Sequence, residues 1–104
     1  MDKGENIIEK IRQYKELVIK NFPLKIEQFW LFGSYVKGNS NKDSDIDIAL
    51  EISDFGDNYD FFSVEPLLWK IRRNIDLRIE PHLIARNTDY AGFLNEIHKT
   101  GIEI

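Results

Sequence analysis

The sequence predicts an α+β domain, a small mixed β-sheet flanked by helices, folded as a single unit over residues 1–104. Three observations carry that expectation. Two stretches, 45–52 and 74–81, alternate apolar with polar residues at the two-residue period of a strand. Apolar residues recur at helical spacing before, between and after them. No internal repeat, low-complexity tract or Pro/Gly-rich linker divides the chain. One domain suits a chain of 104 residues, and folding at that size hides roughly two-thirds of the unfolded surface, enough for a core without covalent staples.

Each element has a local reason. Ile7, Ile8, Ile11, Leu17 and Val18, with Tyr14 beside them, give an amphipathic helix near 4–21 that Phe22-Pro23 ends. IEQFWLF, 26–32, is aromatic and apolar enough for a central strand. Gly33 breaks it, and a short helix or turn follows through Ser34, Tyr35, Val36 and Lys37. In DIDIALEI, 45–52, Ile46, Ile48, Leu50 and Ile52 form one face, and Asp45, Asp47, Ala49 and Glu51 the other. SDFGDNYD reads as a loop. A helix near 61–73 points Phe62, Leu68, Trp69 and Ile71 inward, with Pro66 in its first turn or at a break. NIDLRIEP, 74–81, sets Ile75, Leu77 and Ile79 against Asp76, Arg78 and Glu80, and Pro81 closes the strand. Asn87 or Thr88 caps a last helix near 88–99, Gly101 terminates it, and the final IEI forms a short edge strand. Helices against a small sheet are the layered architecture that this order builds.

Composition narrows the function. Without cysteine there is neither a disulfide framework nor a thiolate metal site, which suits a reducing compartment. No stretch approaches ~18 consecutive apolar residues, and the opening MDKGENIIEKIRQYK is charged and helical rather than signal-like. The expectation is a soluble cytoplasmic protein with no membrane contact. Formal net charge is −4, and seven Asp/Glu but no Lys or Arg lie between Asp43 and Asp60. Such a block disfavours direct nucleic-acid binding, which depends on neutralising phosphates with basic groups. It suits a site that collects cations, with a solvated acidic surface as the plainer alternative.

The stretch LFGSYVKGNSNKDSDIDIAL, 31–50, concentrates the chemistry. Asp45 and Asp47 interrupt an apolar strand, where carboxylates are costly to bury. If the two alternating strands are neighbours, Asp76 converges on the same side, because adjacent strands lie about 4.8 Å apart. At ~4 Å and an effective dielectric of about 20, each like-charged pair costs on the order of 4 kcal/mol, against a total domain stability of about 5–15 kcal/mol. Protons or cations must therefore neutralise the set. All-oxygen ligands select Mg²⁺ or Mn²⁺ rather than zinc. Gly33, lacking a Cβ, lets a phosphate approach the backbone. Ser34 adds a hydroxyl donor and Lys37 a positive charge, so metal-assisted phosphoryl or nucleotidyl transfer is the chemistry expected. Glu80 shares a face with Asp76 but lies about 13 Å farther along the strand, which leaves it outside the expected ligand set. Arg78 neutralises neighbouring acids or contacts phosphate. His82, following Pro81, either edges the site or, more simply, is a surface histidine, and His98 reads as an outer residue of the last helix.

Gly33-Ser34, the ten residues 35–44 and Asp45-Ile46-Asp47 together resemble the signature of the minimal nucleotidyltransferases of the DNA polymerase β-like superfamily. Gly38 and Ser44 also match frequent positions of that family, Lys37 stands where an arginine is common, and IDLRIEP looks like the later strand that supplies a third carboxylate, mapping to Asp76. The resemblance implies that Asp45 and Asp47 hold two Mg²⁺ ions, that Asp76 completes one site and accepts the attacking hydroxyl's proton, and that Gly33 and Ser34 grip the β and γ phosphates. In-line attack on the α-phosphorus would then give NTP + acceptor–OH → acceptor–NMP + PPi, with ATP favoured.

The resemblance also implies a second chain, or a second copy, that completes the acceptor site. The family commonly stands beside a small helical HEPN-type protein as a toxin–antitoxin pair, in which the nucleotidyltransferase is the antitoxin and attaches AMP to the toxin. The alternative is a binding module that neutralises its partner by contact alone. The aromatic-rich stretch 55–69 could face such a partner, or simply fill the core.

Overall fold

The computed structural model describes residues 6–38, 40, 43–88 and 92–104. Its helices are α1 (Ile7–Asn21), α2 (Ser34–Lys37), α3 (Phe61–Ile71) and α4 (Phe93–Thr100); its strands are β1 (Gln28–Phe32), β2 (Ile46–Ile52), β3 (Ile79–Ala85) and β4 (Ile102–Glu103). One mixed sheet has the order β3-β2-β1-β4. β1 runs antiparallel to β2 and to β4, while β3 runs parallel to β2. The α+β class and the order of elements follow the sequence expectation. No helix among the described residues is long and apolar enough to cross a membrane.

The two faces of the sheet have different fates. Ile46, Ile48, Leu50 and Ile52 of β2 join Phe29 and Leu31 of β1 and Ile79, Leu83 and Ala85 of β3 in the main core. Ile11, Tyr14 and Val18 of α1 and Val64 and Leu68 of α3 close over that face. The Tyr14 hydroxyl, whose pKa burial pushes well above its ordinary range, donates to the Leu68 carbonyl at 2.9 Å and so ties the two helices. On the opposite face, α4 lays Ile97 against Trp30 and Ala49. It covers one part of the polar face and leaves Asp47 and Glu80 half-buried.

Local chemistry fixes the helix ends. Asn6 Oδ1 accepts from the Glu9 amide at 3.0 Å to start α1. Asp60 and Ser63 form a reciprocal capping box at the head of α3. Pro66 falls inside α3 rather than in its first turn. It removes the donor that would meet the Phe62 carbonyl, on the exposed side where water can replace it. Phe62, expected inward, is 85% exposed, and Val64 instead joins Leu68 in the core. Asn87 and Thr88 lie in a 3₁₀ turn, Arg86–Thr88, and Gly92 caps α4 with a left-handed φ of 70°. The first residues expected in that helix, 89–91, lie outside the described residues.

The largest departure concerns the strand expected over 74–81. The chain leaves α3 through a 3₁₀ turn, Arg72–Asn74, whose Arg72 carbonyl accepts from the amides of both Ile75 and Asp76 at 2.9 Å. Asp76 Oδ1 then accepts from the Arg78 amide at 2.9 Å, an Asx-type turn. Leu77 is 65% exposed, so the apolar alternation that starts at Ile75 does not belong to a strand there. β3 begins at Ile79 and continues through Pro81 to Ala85. Proline is tolerated because β3 is an edge strand, paired only with β2.

Candidate active site

Asp47 is the centre of the site. It lies on β2 directly opposite Phe32, the last residue of β1, so the turn after Phe32 must pass beside its carboxylate. That turn is Gly33, with φ 80° and ψ −147°, a region essentially confined to glycine. A Cβ at Gly33 would collide with Asp47 Oδ2 and stand 3.2 Å from Asp47 Cγ. Gly33 and the Asp-x-Asp strand are thus in contact, as the chemistry expected from the sequence requires. Ser34 opens α2 and Lys37 closes it, exposed, with the Val36 and Lys37 amides both donating to the Gly33 carbonyl at 3.1 Å. Ser44 is half-buried in the turn entering β2, and Asp45 is exposed at the strand's mouth.

The parallel register pairs Asp47 with Glu80 across β2 and β3. One ligand atom each from Asp47, Glu80 and His82 lies within 4.8 Å of the others. The Glu80 pKa is raised: burial pushes it up, followed by a hydrogen bond to Asp45 and the charges of Asp45 and Asp47, with His82 acting in the opposite direction. Asp45 and Asp47 repel the charged form of Glu80, so the group is crowded with negative charge. His82 Nε2 approaches Asp47 Oδ1 at 3.2 Å. The Phe32 ring meets the imidazole edge-on at 5.1 Å and is itself met by Phe93 at 5.5 Å.

Asp76 does not join this group. Its carboxylate is held by Lys10 Nζ at 2.8 Å and by Arg78 through NH2 at 2.6 Å and Nε at 3.0 Å. Arg78 NH1 also reaches the Tyr35 hydroxyl at 3.3 Å, so this cluster fastens the turn before β3 to α1 and α2. On the strand beside Asp47, where Asp76 was expected, the structure sets Glu80, because β3 begins three residues after Asp76. The reading of Glu80 as too distant is corrected with it, and His82 edges the same group while staying partly exposed. A signal was present in the sequence: Glu80 and His82 are one residue apart in IEPHLIA and so share a strand face.

Among known proteins, the family "Polymerase beta, Nucleotidyltransferase" matches residues 5–104. The chain belongs to this family. It is a minimal nucleotidyltransferase, and its Gly33 turn, Asp45-x-Asp47 strand and Glu80 lie within the matched residues. "Putative protein adenylyltransferase MJ1215" of Methanocaldococcus jannaschii is 34% identical over 82 residues, covering 79% of this chain and 87% of that relative. "Putative protein adenylyltransferase MJ0141" of the same organism is 24% identical over 98 residues, covering 94% and 98%. A solved structure described as a toxin–antitoxin with AMP-PNP superposes with a TM-score of 0.65 at 24% identity, covering 94% of this nucleotidyltransferase and 72% of that chain. That likeness establishes the shared fold.

Proposed function

We propose that this nucleotidyltransferase transfers AMP from ATP, in a Mg²⁺-dependent reaction, to a hydroxyl group on a partner protein. We further infer that it does so as the cytoplasmic antitoxin of a HEPN-type toxin–antitoxin pair, with residues 1–104 acting as one domain. The observation that carries the reading is the contact of a glycine-only turn with Asp47, across from Glu80. The two relatives described as protein adenylyltransferases support AMP and a protein acceptor. The neighbour described as a toxin–antitoxin with AMP-PNP supports the pairing.

The donors suit a divalent cation. Burial raises the Glu80 pKa, Asp45 and Asp47 raise it further, and a cation would relieve the repulsion among the three. These three carboxylates would hold the ions, Glu80 taking the place expected of Asp76. Mg²⁺ bound there would offset triphosphate charge and make the α-phosphorus more electrophilic. The Gly33 turn sets the start of α2 beside Asp47, where Ser34 Oγ would donate to a phosphate oxygen, and Lys37 adds charge at the far end of α2. Ser44 stands at the entry to the Asp-x-Asp strand. The acceptor oxygen forms its bond to the α-phosphorus, the α–β bridging P–O bond breaks, pyrophosphate leaves, and the acceptor's proton passes to a carboxylate of the cluster.

The test is label transfer from [α-³²P]ATP in Mg²⁺ to the protein that co-purifies with this chain from its native cell. Asp45→Asn with Asp47→Asn should lower the rate by about 10³-fold or more, several kcal/mol of transition-state stabilisation. Transfer at the wild-type rate by that double variant would overturn the catalytic reading. Labelling by GTP in preference to ATP would overturn the choice of nucleotide.

A further inference from the structure

We propose that His82 supplies a nitrogen ligand to the cation held by Asp47 and Glu80, so that the site favours Mn²⁺ over Mg²⁺. The proposal rests on the reading of that carboxylate group as a cation site. His82 follows Glu80 by two residues on the same face of β3, and the register sets it opposite Ala49 rather than Asp47. Ala49 offers only a methyl group, which leaves space above β2 for the imidazole. The ring uses that space to reach toward the carboxylates, bringing Nε2 to 3.2 Å from Asp47 Oδ1. Phe32 braces it edge-on, so the orientation is supported from the neighbouring side.

The resulting donor set is two carboxylate oxygens and one imidazole nitrogen, all within 4.8 Å. Donor chemistry then separates the two metals. Mg²⁺ is hard, binds oxygen and keeps its waters. Mn²⁺ shares the preference for carboxylates, but as a softer ion with available d orbitals it binds an imidazole nitrogen more strongly than Mg²⁺ does. Replacing one oxygen by His82 nitrogen therefore shifts the balance toward Mn²⁺ without abolishing Mg²⁺ binding. The competing role for His82 is purely positional: a hydrogen bond that orients Asp47, with no bond to metal.

Pulsed electron paramagnetic resonance on the full chain with Mn²⁺ alone distinguishes these roles, because an imidazole bound to Mn²⁺ imprints a ¹⁴N modulation on the echo. The expected result is a ¹⁴N signal that disappears when the histidines are ¹⁵N-labelled and in His82→Gln. The glutamine amide can still donate to Asp47 but offers a metal only oxygen. In that variant the ratio of Mn²⁺ to Mg²⁺ affinity, read by competition on the free-Mn²⁺ signal, should fall by at least about tenfold. Mn²⁺ bound to the wild-type protein without ¹⁴N modulation, or an unchanged ratio in His82→Gln, would overturn the role of His82 and leave the carboxylate site standing. No Mn²⁺ binding at all would overturn that site together with this proposal.

Discussion

The polar face of β2 carries two carboxylate centres, at Asp47 and at Glu51, which the fold treats in opposite ways. Glu51 is fully buried and surrounded by donors from three other elements. Trp30 Nε1 donates to it at 3.0 Å, His98 Nε2 lies at 2.7 Å, and Arg86 Nε donates to its other oxygen. The His98 ring also lies 4.8 Å from that of Trp30. Burial alone would raise the Glu51 pKa, but the hydrogen bonds from His98, Arg86 and Trp30 outweigh it and hold the carboxyl below its ordinary value of 4.5. At the other centre Asp47 faces Glu80, and the Glu80 pKa moves upward. One carboxylate is met by donors from three elements of the protein; the other faces a second carboxylate across the strands. The pair therefore separates a structural acid from a site on a single strand.

Removing Glu51 should produce the largest change in stability. Glu51→Ala takes away the hydrogen bonds with Trp30, His98 and Arg86 and leaves the Trp30 N–H without a partner inside the sheet. Arg86 and His98 are partly exposed and can turn to water, which moderates the loss. We expect about 2–4 kcal/mol by urea denaturation. A loss below about 0.5 kcal/mol would break the contrast by making Glu51 as dispensable to the fold as a surface acid.

The next effect comes from metal at the other centre. Mg²⁺ present at one hundred times its dissociation constant should add about 2.7 kcal/mol to stability, since it binds the folded chain and not the unfolded one. Asp47→Asn should lose most of that increment, and Glu51→Gln should keep it. An increment lost equally in both variants would mean that the two centres are not independent. Thermal melts with and without Mg²⁺ are sufficient to decide.

Much of this arrangement was legible in the sequence, and what was not has physical causes. Alternation placed Asp45, Asp47, Ala49 and Glu51 on one face of the stretch 45–52, and the Gly33-Ser34 spacing brought the turn to the strand. Alternation cannot choose among Asp76, Arg78 and Glu80, which share one parity. That choice depends on where the strand starts, and the 3₁₀ turn at Arg72–Asn74 with the Asx turn at Asp76 delays it to Ile79. Pro81 looked like a terminator because proline ends interior strands, and whether a strand lies at an edge is a property of topology. The burial of Glu51 was equally hidden, because only the packing of α4 distinguishes it from Asp47.

The smallest effects, in pH dependence, sharpen the contrast most because the two centres should differ in sign. Glu51 has a folded pKa below 4.5, so its contribution to stability is fully present above that value and is lost as pH falls through the lower, folded one. Glu80 has a folded pKa above 4.5, so in metal-free protein folding takes up a proton there. Its share of stability is present below 4.5 and is lost as pH rises through the raised value. Urea unfolding in a chelator from about pH 3 to pH 8 should therefore show a shallower acid limb in Glu51→Gln, and in Glu80→Gln a smaller decline on the neutral side. Mg²⁺ should erase the Glu80 difference alone, since a cation competes with the proton for that carboxylate but has no access to Glu51 behind Trp30, Arg86 and His98. An acid limb unchanged by Glu51→Gln would mean that its hydrogen bonds do not outweigh its burial.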